Sequence, residues 1–124
     1  AKRINIAASK KNKQQNIFIQ INVSADPKKH GFTIGEALIA AKSISKMEYI
    51  KLQGIMTIPM QNTPSKQLKK IYCKTREIRD TIKKNFNNDC KNLSMGMSDD
   101  YVVAVSEGAT HIRLGTALFG TKNI

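Results

Sequence analysis

The sequence predicts an α/β fold with a parallel sheet, and three observations carry that expectation. Short segments rich in β-branched residues recur four times along the 124 residues. Between them lie segments whose apolar residues repeat at helical spacing, and such alternation implies parallel strands joined by right-handed crossovers. Four strand units are half of an eight-stranded barrel, and a complete barrel needs about 250 residues. Residues 1–124 therefore read as a single domain, a partial (β/α)8 barrel.

Ala1 to Lys13 reads as the end of a helix, with Ile4, Ala7 and Ala8 at helical spacing and a basic run at its C-terminus. Ile17–Val23 is the first strand. A loop follows from Ser24 to Phe32. Thr33-Ile34-Gly35-Glu36 has the form of a capping box and opens a helix to about Lys46. Leu52–Ile58 is the second strand, stopped by Pro59. A long helix from about Ser65 to Phe86 carries Leu68, Ile71, Thr75, Ile78 and Ile82 on one side and charge on the rest. Asn92–Met95 is the third strand, and Gly96-Met97 turns the chain. Ser98 is an N-cap candidate, with Asp99 and Asp100 in the first turn, and the helix runs to Gly108. His111–Leu114 is the fourth strand. Gly115-Thr116 leads into one short helical turn, Ala117 to Gly120.

Composition excludes several classes. A hydrophobic fraction of 40% with 6% aromatics fits a soluble globular chain, and no apolar run is long enough to span a membrane. The start, Ala1-Lys2-Arg3-Ile4-Asn5, lacks the apolar core of a secretory signal and has no Met, as a processed chain or part of a longer one would. Cys73 and Cys90 form no C-x-x-C pair, and two histidines are too few for a metal site beside them. Both are expected to be reduced thiols of a cytoplasmic protein. The net charge of +12 is spread along the chain and accompanies heavy use of Lys, Asn and Ile together. Those residues share A/T-rich codons, and stacking aromatics are missing, so nucleic acid is not the expected partner.

The chemistry concentrates at the last two strand exits. In α/β barrels ligands sit at the C-terminal strand ends, and a phosphate is often held by the loops after strands seven and eight. Gly115 admits close backbone approach, Thr116 adds a hydroxyl, and the turn beyond offers free N–H groups. Ser98 supplies an oxygen at the other loop. Arg113 shares a strand face with Gly115. It either points into the barrel mouth toward a partner or snorkels to a local carboxylate.

These residues resemble a known family. Leu93-Ser94-Met95-Gly96-Met97-Ser98-Asp99-Asp100 resembles the L-S-M-G-M-S-x-D segment of the pyridoxal phosphate homeostasis family. Ile112 to Gly120 resembles its V-R-I/L-G-S/T-x-I/L-F-G segment. Ile19 to Ser24 with Lys29-His30-Gly31, and Leu52 to Pro59, resemble its I-Q-I/V-N-x-S, K-x-G and L-x-G-L-M-x-I-P segments. The resemblance covers essentially the whole chain.

It implies the C-terminal half of an alanine-racemase-like (β/α)8 TIM barrel that binds pyridoxal 5'-phosphate. By analogy, Ser98, Gly115 and Thr116 hold the phosphate, and Arg113 faces the pyridine nitrogen. The family is regarded as a non-catalytic keeper of the cofactor. Its anchoring lysine lies on an early A-V-S-K strand, which would precede everything here. Ala8-Ser9-Lys10 looks similar but ends no apolar strand, so the covalent anchor is expected to be missing from this chain. The leading reading is thus a non-catalytic, truncated or split pyridoxal phosphate-binding protein. A racemase-like enzyme fragment and a basic nucleic-acid binder are the alternatives. A half-barrel would also leave its first and fourth strands unpaired, inviting self-association or a missing N-terminal half.

Overall fold

The computed structural model describes residues 1–24, 27 and 30–120; Lys29, part of the K-x-G resemblance, lies outside them. The elements are α1 (Lys2–Lys10), β1 (Gln15–Gln20), α2 (Ile34–Ile44), β2 (Ile50–Met56), α3 (Ser65–Asn85), β3 (Asn92–Met97), α4 (Tyr101–Ser106), β4 (His111–Arg113) and α5 (Thr116–Phe119). The strands form one parallel sheet in the order β1-β2-β3-β4. Sequence order and spatial order coincide, as in a barrel wall.

Cross-strand register sorts the residues onto two faces. Ile19, Ile55 and Leu93 are register partners, and all three are buried. They join Ala37, Ala41 and Ile44 of α2, Leu68, Tyr72, Ile78 and Ile82 of α3, and Ala104 of α4 in one core. Each fully buried Leu or Ile contributes about 1.5–3 kcal/mol, so this layer carries the fold. The opposite face carries the row Gln20, Met56, Ser94 and His111, none of them buried. Rings of Phe18 and His111, from the two outermost strands, meet edge to face at 5.5 Å. Adjacent strands stand about 4.8 Å apart, so this contact requires the sheet to curl toward that face.

Close packing explains two glycines. A Cβ at Gly54 would collide with the Asn92 carbonyl of the adjacent strand. A Cβ at Gly96, whose φ is 103°, would lie 2.7 Å from the Ala104 Cβ.

The capping box at α2 forms as expected. The Glu36 N–H donates to Thr33 Oγ1 at 3.2 Å, and the Thr33 N–H donates to Glu36 Oε2 at 3.0 Å. Several boundaries differ from the sequence reading. β1 and β2 each begin two residues earlier, at Gln15 and Ile50, where Gln15 and Asn16 pair with Ile50 and Lys51. Ile21 lies beyond β1 in an isolated bridge to Phe32. β3 runs through Gly96 and Met97, which therefore do not turn the chain. β4 stops at Arg113. Among the described residues no helix is long and apolar enough to cross a membrane. Cys73 and Cys90 are free thiols.

Candidate functional site

The C-terminal ends of parallel strands point the same way, so the exits of β2, β3 and β4 share one rim. Ser98 lies in the loop between β3 and α4. It is not the N-cap: Asp100 is, and α4 has no acidic residue in its first turn. The Asp100 carboxylate instead accepts the Met97 N–H at 2.8 Å, closing the loop on itself. The Ser98 hydroxyl accepts the Gly115 N–H of the neighbouring loop at 3.3 Å. The two strand-exit loops named by the sequence are thereby joined.

Gly115 precedes the single turn of α5, and Thr116 is its first residue. Both are exposed. Among the described residues a Cβ on Gly115 would meet nothing within 4 Å, so the backbone there can be approached closely. The first N–H groups of the α5 turn lack intrahelical acceptors and favour an anion.

Arg113 ends β4, half-buried, and its Nη2 donates to the Thr57 carbonyl at 2.9 Å. The guanidinium thus reaches back across the sheet to the end of β2 and does not snorkel into solvent. Burial lowers its pKa, while Tyr72 and Asp100 act in the opposite direction. An arginine stays charged under these conditions. Its Nε is buried and has no hydrogen-bond partner among the described residues, while the Tyr72 hydroxyl, also buried, interacts with the Asp100 carboxylate. The flanking residues differ from expectation: Ile112 remains partly exposed, and Leu114 lies beyond the strand.

The rim is held in place from below. Thr110 pins β4 to β3, its Oγ1 accepting the Leu93 N–H at 2.8 Å and its own N–H donating to the Leu93 carbonyl at 2.9 Å. Arg76 of α3 pairs with the buried Glu107 carboxylate at 3.2 Å, fixing α4. Thr57, also buried, donates its hydroxyl to the Ile21 carbonyl at 2.9 Å.

Sequence reasoning missed Tyr72, Asp100 and the Thr57 carbonyl. Tyr72 falls four residues after Leu68 and three before Thr75, within the apolar stripe. A phenol at that position was the available signal. Its pKa is raised, first by burial and then by the Asp100 carboxylate, with Arg113 pulling it back.

The donor set fits a phosphorylated pyridine. Ser98 and Thr116 carry hydroxyls at the two strand exits, the Gly115 N–H is taken up by the Ser98 Oγ, and the Arg113 Nε has no partner among the described residues. Lys10 ends α1, which leads into the N-terminal end of β1, the opposite edge of the sheet.

Comparison with known proteins places the whole chain among characterised sequences and folds. The family model described as alanine racemase, N-terminal domain, matches residues 1–123. A pyridoxal phosphate homeostasis protein of Aquifex aeolicus is 34% identical over 98% of this chain and 54% of its own length. One from Pasteurella multocida is 32% identical over 99% of the chain and 53% of its own. The chain spans about half the length of the curated relatives it matches. An unknown protein from Bifidobacterium adolescentis superposes with a TM-score of 0.89 at 30% identity, covering 95% of this chain and 48% of that one. PipY of Synechococcus elongatus, solved with pyridoxal phosphate bound, gives 0.84 at 25% identity, covering 96% and 55%.

Proposed function

Because the chain belongs to the alanine racemase N-terminal domain family, we propose that it is the phosphate-gripping part of a pyridoxal 5'-phosphate homeostasis protein, acting in the cytoplasm without catalysing a reaction. The observation that carries this reading is the Ser98–Gly115 hydrogen bond, which joins two strand-exit loops beside an open space, with Arg113 behind. In this reading Ser98, Gly115 and Thr116 bind the phosphate, and Arg113 addresses the ring nitrogen.

When bound, pyridoxal phosphate supplies an electron-accepting ring. A guanidinium at the ring nitrogen is always protonated and donates without giving up its proton. The nitrogen stays unprotonated, and carbanion chemistry is disfavoured. Such a site can hold the cofactor without running transamination.

The partner we propose is a complementary barrel half. The relatives' additional length and the two open sheet edges support it, and a second copy of this chain is the substitute.

An absorbance titration with pyridoxal phosphate tests the cofactor reading. Borohydride reduction and peptide mapping follow. Saturable binding that is lost in Thr116→Ala and Arg113→Ala, without one dominant labelled lysine, is expected. Labelling scattered over surface lysines, with no saturable phase, would overturn the reading for this chain.

A further inference from the structure

Thr57 follows the last residue of β2 and is buried, and each of its polar groups is taken up at a different strand exit. Its N–H donates to the Ser94 carbonyl of β3 at 3.1 Å. Its hydroxyl donates to the carbonyl of Ile21, just beyond β1, at 2.9 Å. Its carbonyl accepts Arg113 Nη2 of β4 at 2.9 Å. One residue thus ties together the C-terminal ends of all four strands.

Two of these bonds stand where a regular parallel ladder would use the backbone alone. The Ile21 N–H donates to the Met56 carbonyl at 2.8 Å, so a continued ladder would bring the Ile58 N–H to the Ile21 carbonyl. The Thr57 hydroxyl reaches that carbonyl instead. On the other side, a continued ladder would bring the Gly96 N–H to the Thr57 carbonyl. The β2–β3 register ends at Met56 and Ser94, and Gly96, with a φ of 103°, departs from extended backbone. The guanidinium of Arg113 takes the carbonyl in its place. Volume alone does not call for a hydroxyl at this buried position. What the hydroxyl adds is a second tether on the peptide that holds Arg113, and a group that must address a ring nitrogen has to be held in place beforehand.

We propose that Thr57 is a positioning residue for Arg113: anchored to β1 through its hydroxyl and to β3 through its N–H, it presents the carbonyl that sets where the guanidinium stands. The proposal rests on the pyridoxal phosphate reading above. It goes beyond that reading in assigning a role to a residue from neither of the phosphate-holding loops. Those loops are joined by their own bond, from the Gly115 N–H to Ser98, so the phosphate grip does not depend on Thr57. Thr57 touches no ligand in this scheme and acts through Arg113.

The test compares Thr57→Val, which removes the hydroxyl and keeps the branched shape, with Thr57→Ser, which keeps the hydroxyl. The first readout needs no ligand. The Arg113 guanidinium N–H resonances, assigned by their loss in Arg113→Lys, should exchange with water faster in Thr57→Val than in the parent chain, and at the parent rate in Thr57→Ser. The second readout is affinity for pyridoxal phosphate and for inorganic phosphate. Thr57→Val should weaken pyridoxal phosphate about tenfold, the scale of one hydrogen bond to a charged group, and leave inorganic phosphate unchanged. Thr57→Ser should bind both probes as the parent does. Added to Arg113→Lys, Thr57→Val should cost nothing further, as for two residues acting through one contact. If Thr57→Val fails to fold, Thr57→Ala removes the same hydroxyl without setting an apolar group against the Ile21 carbonyl, and is read identically. Unchanged exchange overturns the proposal, as does an equal loss for both probes or an additive loss in the double variant. If the parent chain binds neither probe while the exchange responds, the cofactor reading fails and the Thr57–Arg113 link is upheld.

Discussion

Gly115 shows how little a single residue has to do for the fold and how much it does for a ligand. Its φ of −109° is open to any L-residue, and a Cβ there would meet nothing within 4 Å among the described residues. Gly115→Ala is therefore expected to change unfolding free energy by less than about 0.5 kcal/mol, as at an uncrowded surface position. It should nevertheless weaken pyridoxal phosphate binding by intruding on the space left for the phosphate. Chemical denaturation beside the absorbance titration separates the two effects, and a large loss of stability would contradict the open-space argument. Cys90 is the reverse case, a residue wholly committed to the core. Burial pushes its thiol from an ordinary value of 9.0 up to about 11, with Arg79 acting weakly the other way. The folded chain thus holds this proton more tightly than the unfolded chain does. The sign follows directly: the contribution to stability is fully present below pH 9 and is lost as pH rises toward 11. Alkylation at pH 8 should modify Cys73 and spare Cys90 until the chain unfolds. Rapid modification of both in native buffer would refute it.

At the scale of elements, capping separates local rules from tertiary ones. Thr33 and Glu36 satisfy each other's backbone N–H groups within four residues, so the box was visible in the sequence. Thr33→Ala should cost about 1 kcal/mol, measurable as a lower urea midpoint with an unchanged slope. The start of α4 behaves differently. Ser98 has the right chemistry for a cap, yet Asp100 takes the position because β3 continues through Met97 before the chain turns. Gly96 makes that extension possible, with a positive φ beside Ala104. Gly96→Ala combines an unfavourable backbone conformation with a methyl group forced against α4. It should destabilise by about 2–3 kcal/mol and displace Ser98 along with the loop. A neutral Gly96→Ala chain would show that the loop adapts, and the role assigned to this glycine would be wrong.

At the scale of the whole molecule, the four strands curl into part of a barrel wall whose helix-covered face is packed and whose other face is open. The Phe18–His111 contact records the curl, and among the described residues β1 and β4 are the outer strands of the sheet, each paired on one side. Around the β1 edge, Ile4, Ile17, Phe18 and Phe32 line an apolar groove with parts of α1 and α2. Unpaired edges beside apolar grooves associate. Sedimentation of the 124-residue chain alone should show self-association that grows with concentration. Adding the N-terminal half of a homologous barrel should replace it with a 1:1 complex. A chain that stays monomeric across the range and ignores the added half would contradict the proposal of a complementary partner.

The sequence by itself determined the order of strands and helices, the parallel sheet and the two loops that carry Ser98, Gly115 and Thr116. These rest on short-range patterns: β-branched runs, helical periodicity and glycines at strand exits, each set by interactions within a few residues. It also placed Arg113 on the last strand while leaving open whether the guanidinium turned inward or snorkelled. Only the tertiary structure decided that Arg113 reaches the Thr57 carbonyl, 56 residues away, and that Tyr72 and Asp100 attend it. Only it decided that Ser98 bonds to Gly115 and leaves the cap to Asp100. The physical reason is common to all of these. A side chain's local chemistry fixes which partners it accepts, but competition among acceptors is settled by which backbone ends the folded sheet brings to one rim.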